Sequence, residues 1–240
     1  MEDRGSNRRS RFSREALAAL AGLGALASPL SAEPVKQIDL YVLPIYESPT
    51  TQGGRPRVTV GKEFDALLSS NRPADILTAR DKIQAAPASI TPMTLMVLAI
   101  RLYDVGLRDE SVFWFYAAKD RFATLAEVLE IYPTLSQAAE QMTSFAELAG
   151  PTINGYAFCD LKKQKTARFS AVDWVEKHPY QAVFMERFPA KPGDRAANLR
   201  AAVAKIRKGA AEEAVQIARS SAEFRKARRE NGADEKYCWR

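Results

Sequence analysis

From Gly61 onward, apolar residues recur at the spacing of a helix face, and proline or glycine punctuates the pattern. This rhythm restricts the fold more than any other feature, because such stripes are buried by packing helices on one another through short connections. Lys62 to Ser69 carries Phe64, Leu67 and Leu68. Pro73 suits a first helical position, where an N–H would have no partner, and Ile76, Leu77, Ala79 and Ile83 form the stripe behind it. Thr91-Pro92 repeats the device with Thr91 as N-cap; Leu95, Leu98 and Leu102 face inward, and Gly106 ends the segment. Asp109 caps the next helix, which runs on or restarts towards Ile131 and is interrupted by Pro133. A helix from Thr134 or Ser136 is expected to close at Gly150-Pro151.

Ile153 to Trp174 reads either as one helix, with Lys162, Lys163, Gln164 and Lys165 on its solvated face, or as two pieces broken near Lys165. Pro179 and Pro189 bracket a short piece containing Ala182, Val183, Phe184 and Phe188. In the last element Val203, Ala210, Ile217 and Phe224 recur every seven residues beside Leu199 and Ile206. That narrow seam suits a helix lying along a helical body or pairing with a partner helix, and Gly209 is a position where it could divide. The expected fold is all-α: a domain over residues 62–240 of stacked helical hairpins, closed by a long basic helix over about 194–230.

Residues 33–61 read as extended and irregular. Ile38, Leu40 and Val42 alternate with other residues, and Val58-Thr59-Val60 is β-branched, so both suit short strands flanking a loop from Glu47 to Pro56. The first 32 residues read as a cleavable export signal. Arg8, Arg9, Arg11 and Arg14 precede the 15-residue apolar run Ala16 to Leu30, which has signal-core length and falls short of the ~20 residues that span a bilayer. Ala25-Leu26-Ala27 and Ser31-Ala32 offer small-residue cleavage positions. Arg8-Arg9 with Phe12 leaves the general secretory and twin-arginine routes both open. No later stretch is long and apolar enough to span a membrane, so the processed chain is expected to be soluble and periplasmic or secreted.

In an oxidising compartment, Cys159 and Cys238 allow one disulfide, which would staple the C-terminus to mid-chain and stabilise by about 4 kcal/mol on the chain-entropy argument. The alternative is two unrelated cysteines. Leu98-Ala99, Leu102-Tyr103, Gly106 and Asp109, followed by Trp114 and Ala117-Ala118, form a pattern of small residues and a turn glycine. This pattern resembles a Sel1-like or tetratricopeptide helical hairpin over residues 98–118, one unit. The resemblance implies a protein-binding scaffold rather than catalysis.

No phosphate-binding Gly-Lys-Ser/Thr loop, dinucleotide turn, nucleophile elbow or His-Glu-x-x-His zinc motif occurs. His178 is the single histidine. It sits at an expected helix end, where a protonated ring would favour the terminal carbonyls; a Cys159–His178 thiol dyad lacks a third member and is disfavoured. Neither cofactor nor metal is expected. The net charge is +6, of which the first 32 residues carry +2. This is thin for phosphate contacts, and glutamates interleave with the C-terminal cations, so nucleic-acid binding is disfavoured while an acidic protein or anionic membrane surface remains open. The partner-contact candidates are the aromatic run Phe113, Trp114, Phe115 and Tyr116, of which at least one ring should face outward, and Arg219, Arg225, Arg228 and Arg229. The favoured function is a non-catalytic exported protein that binds another protein, as an envelope scaffold or in an immunity-type role. Two rivals remain: an enzyme using scattered carboxylates such as Asp104, Asp109 and Asp120, and a cytosolic nucleic-acid binder.

Overall fold

The structure, a computed structural model, describes residues 33–38, 41–43, 57–59, 61–132 and 135–239. The expected export signal and most of the expected loop from Glu47 to Pro56 lie outside these residues. Among them the fold is all-α apart from one small pairing: Tyr41–Leu43 (β1) and Arg57–Thr59 (β2) run parallel, Val42 opposite Val58.

The helices follow in chain order: α1 Asp65–Ser69, α2 Pro73–Ala85, α3 Pro92–Asp104, α4 Arg108–Val128, α5 Ser136–Ala157, α6 Leu161–Lys177, α7 Arg195–Arg219, α8 Ser221–Glu230 and α9 Ala233–Tyr237. Pro73 and Pro92 stand at first-turn positions, and Thr91 Oγ1 accepts from the Thr94 amide at 3.0 Å. α3 is sealed on all sides: Leu95 to Ile100, Leu102 and Tyr103 are fully buried. A helix apolar around its whole girth can lie only at the centre. Gly106, at φ 88°, lets the chain reverse into α4, with its own amide on Tyr103 O and the Leu107 amide on Leu102 O, the double closure that a left-handed glycine permits.

α4 is the hub, packing against α3, α5, α6 and α7. At 21 residues it is roughly 30 Å long. Its two ends define the two ends of the molecule. At its start, the N-terminal segment and the C-terminal tail meet. The Val35 amide donates to Lys236 O, Val35 O accepts from the Tyr103 hydroxyl and the Trp239 indole, and the Ile38 amide donates to Asp104. At its far end, a satellite core of Leu125, Val128, Leu129, Ala182 and Val183 forms under two loops.

Several element boundaries depart from expectation: α1 starts at Asp65 rather than Lys62, and Asp109 lies inside the first turn of α4 behind Leu107 rather than capping it. α5 continues through Gly150-Pro151 to Ala157. Ala149, Ile153 and Ala157 are buried on one face either side of the proline, and that shared face holds the two halves in line. The alternatives for 153–174 resolve into a break at 158–160, where Asp160 accepts from the Lys162 and Lys163 amides at 3.0 Å and caps α6. The long C-terminal helix breaks at Ser220 and not at Gly209, which lies mid-helix with open space around it.

Candidate partner-binding face

The aromatic run does not supply a contact surface. Trp114, Phe115 and Tyr116 are buried at 1%, 1% and 6% exposure, and Phe113 is half-buried edge-on against Trp114 and Trp174. The expectation of an outward ring presumed a helix with one solvent face. α4 has neighbours around most of its girth at this level and leaves only Phe113 partly exposed. Arg228 is likewise withdrawn from the surface. It is buried, with Nε 2.7 Å from Asp234 and Nη2 3.0 Å from Gly155 O, so it ties the tail to α5. Arg219, Arg225 and Arg229 are exposed, as expected of a solvated helix.

The three carboxylates weighed for catalysis do not converge, since each faces a different cation. Asp104 is buried 2.9 Å from Arg101. Asp109 accepts from Lys163 at 2.8 Å and from the Tyr156 hydroxyl at 2.6 Å, bonds that hold its carboxyl below the usual range. Asp120 pairs with Arg168, yet burial outweighs the cation and pushes its carboxyl upward. Cys159 and Cys238 form the disulfide, their Cα atoms 5.5 Å apart, which leaves no thiol for a dyad with His178. His178 caps α6 with its ring against Trp174. Burial, Arg121 and Lys177 hold its pKa below the ordinary value, so the neutral ring is favoured and a charged interaction with the helix end is not.

Two aromatic rings protrude at the far end of α4, while Val215, 49% exposed, stands apart on α7. Tyr132 is 66% exposed and Phe184 46% exposed, each standing on a loop over the satellite core. Ile131, Tyr180, Met185 and Phe188 fill the layer between rim and core. The loops are tightly fastened. The Glu130 amide donates to Pro189 O at 2.9 Å and the Lys191 amide to Val128 O at 3.0 Å, around a bridge of Leu129 with Ala190. Arg195, in the first turn of α7, reaches back to Val183 O at 2.8 Å and Phe188 O at 2.6 Å. Asp194 caps the same helix through the Ala197 amide.

The root of the second loop is pinned from inside. Arg121 is fully buried and donates to Pro87 O, Ile90 O and His178 O at 2.7, 2.8 and 2.6 Å, with its guanidinium 4.5 Å from the Trp174 ring centre. Burial pushes its pKa down to about 10, so it stays charged at neutral pH. Three carbonyl dipoles and a ring face replace a carboxylate as its partners. Beside the loops, a shallow cleft of about 240 Å³ separates the end of α4 from the start of α7, lined by Glu127, Lys191, Asn198 and Lys205 among others.

This face therefore presents exposed aromatic side chains above chain segments that hydrogen bonds join to one another and to α7. Loops fixed by a scaffold are where binding residues concentrate, and aromatic rings supply large contact area at little entropic cost. Its signal in the sequence was the interruption at Ile131-Tyr132-Pro133 and the proline-bracketed piece from Pro179 to Pro189, each holding aromatic residues outside a helical stripe. An uncharacterized protein of Haemophilus influenzae is 37% identical over 214 residues, spanning 88% of this chain and 83% of that one. No family model matches the chain, and no solved structure does.

Proposed function

This chain belongs to one family with the Haemophilus influenzae protein, and we propose that it is an exported, non-catalytic helical protein that binds another protein through the Tyr132–Phe184 face. The observation that carries the reading is the exposure of those two aromatic rings over one satellite core, with Arg121 pinning the root of the Phe184 loop. A surface ring on a fixed backbone costs no loop ordering when a partner covers it. The export half rests on the signal-like first 32 residues and on the Cys159–Cys238 bond, which persists in oxidising compartments. The hairpin at residues 98–118, with its likeness to Sel1-like units, fits a scaffold that presents loops. No helix among the described residues is long and apolar enough to cross a membrane.

Site-specific photo-crosslinking in the native host tests this. A crosslinker at position 132 or 184 is expected to give the same discrete envelope adduct. The same group at exposed Lys208 should give none, and Phe184→Asp should abolish the adduct formed from position 132. An adduct that forms equally from Lys208, or one indifferent to Phe184→Asp, overturns the face. Recovery of the chain with residues 1–32 intact and free thiols overturns the export half.

A further inference from the structure

The disulfide is built asymmetrically. Cys159, between α5 and α6, is exposed, while Cys238 is half-buried in the tail. The buried Arg228 guanidinium lies against both sulfurs, with Nη2 3.2 Å from Cys238 Sγ and 3.5 Å from Cys159 Sγ. A structural disulfide has no need of a cation; a departing thiolate does. Asp234 lies 3.6 Å from Cys238 Sγ and offsets part of that charge, but its carboxylate is 36% exposed against 6% for Arg228 and is the more screened of the two.

We propose that Cys159–Cys238 is a thiol-exchange site: a dithiol reductant attacks at Cys159, and Cys238 leaves as a thiolate held by Arg228. In the first step the incoming thiolate bonds to Cys159 Sγ, the S–S bond breaks and its electron pair goes to Cys238. In the second, the reductant's other thiolate attacks its own sulfur in the mixed disulfide and releases Cys159. The reductant ends as a disulfide and the protein gains two electrons and, on protonation, two protons. Opening the bond frees what the tail holds. Besides the Arg228–Asp234 pair and the Tyr237 ring on Gly155, the tail's contacts include Trp239 on Val35 O, Lys236 O under the Val35 amide, and Trp239 O with its ring beside Arg108, whose guanidinium carbon lies 3.9 Å from the ring centre. The core of α3 to α6 contains neither cysteine, so it outlasts the release.

The processed chain is treated without denaturant with glutathione to trap the first step, and with dithiothreitol to complete the exchange. The mixed disulfide is expected on Cys159, by peptide mass. Arg228→Gln should slow dithiothreitol reduction about tenfold at fixed pH, with Arg228→Lys intermediate. After reduction, trypsin should remove the tail at Lys236 while residues 92–177 remain resistant. Glutathione found on Cys238, reduction only in denaturant, or a tail still protected once both thiols are free overturns the proposal. Because Arg228→Gln also loosens the tail, the glutathione position in the unsubstituted protein is the deciding readout.

Discussion

At the scale of single residues, Arg121 and His178 meet at the root of the second loop, and they make separable predictions. Arg121 satisfies three buried carbonyls with one charged fork. Arg121→Met keeps volume but strips those carbonyls of their donors, and should cost about 3 kcal/mol in urea unfolding. His178 titrates in a window of its own, since it is the chain's single histidine. Burial and Arg121 hold its folded pKa below the ordinary 6.5, so the unfolded chain binds the extra proton first as pH falls. Its contribution is therefore complete above pH 6.5 and is lost as pH drops through the folded value. Between pH 7.5 and 5.5 the urea midpoint should fall further for the native sequence than for His178→Asn, the difference separating the ring from the buried Asp120 carboxyl, which is itself pushed upward. Part of this was legible beforehand: a lone histidine before a proline reads as a helix end. Arg121 was not, because a cation serving carbonyls from three distant segments leaves no local pattern.

At the scale of elements, legibility followed how local the deciding force is. Thr91-Pro92, Pro73 and Gly106 act within a turn, and each sits where the sequence reading placed it. α5 was misjudged because Pro151 is a local veto that tertiary packing overrides: Ala149, Ile153 and Ala157 are buried together on either side of it. The ring still removes one amide donor from the helix while lying exposed. Pro151→Ala should thus stabilise by about 2 kcal/mol, the interior-proline cost less the entropy returned to the unfolded chain, as read from the denaturation midpoint. An unchanged midpoint would mean that α5 needs a kink there. The aromatic run of α4 failed as a contact candidate for the same non-local reason: amphipathic reasoning assigns a helix one wet face, and only the assembled hub shows that this stretch leaves just Phe113 partly exposed.

At the scale of the whole molecule, the fold separates a stapled end from a loop end along one helix. Gly155 belongs to the first end. A Cβ there would meet the Tyr237 ring at 2.6 Å, so Gly155→Ala must push α9 outward and should cost about 1–3 kcal/mol as an overpacked contact. Arg121 belongs to the second end. Tyr156, next to Gly155, bonds Asp109, and Arg121 lies twelve residues further along α4, about 18 Å of helix. Gly155 touches Tyr237 and Arg228, and Arg121 touches Pro87, Ile90, His178 and Trp174, so the two costs should add within about 0.5 kcal/mol in the double variant. The same separation predicts that Gly155→Ala leaves the adduct at position 184 undiminished while exposing the tail to protease. A coupling above about 1 kcal/mol, or loss of the adduct, would show that α4 transmits strain between its ends. In that case the redox state of the Cys159–Cys238 bond would bear on partner binding, and the two ends would have to be treated as one device.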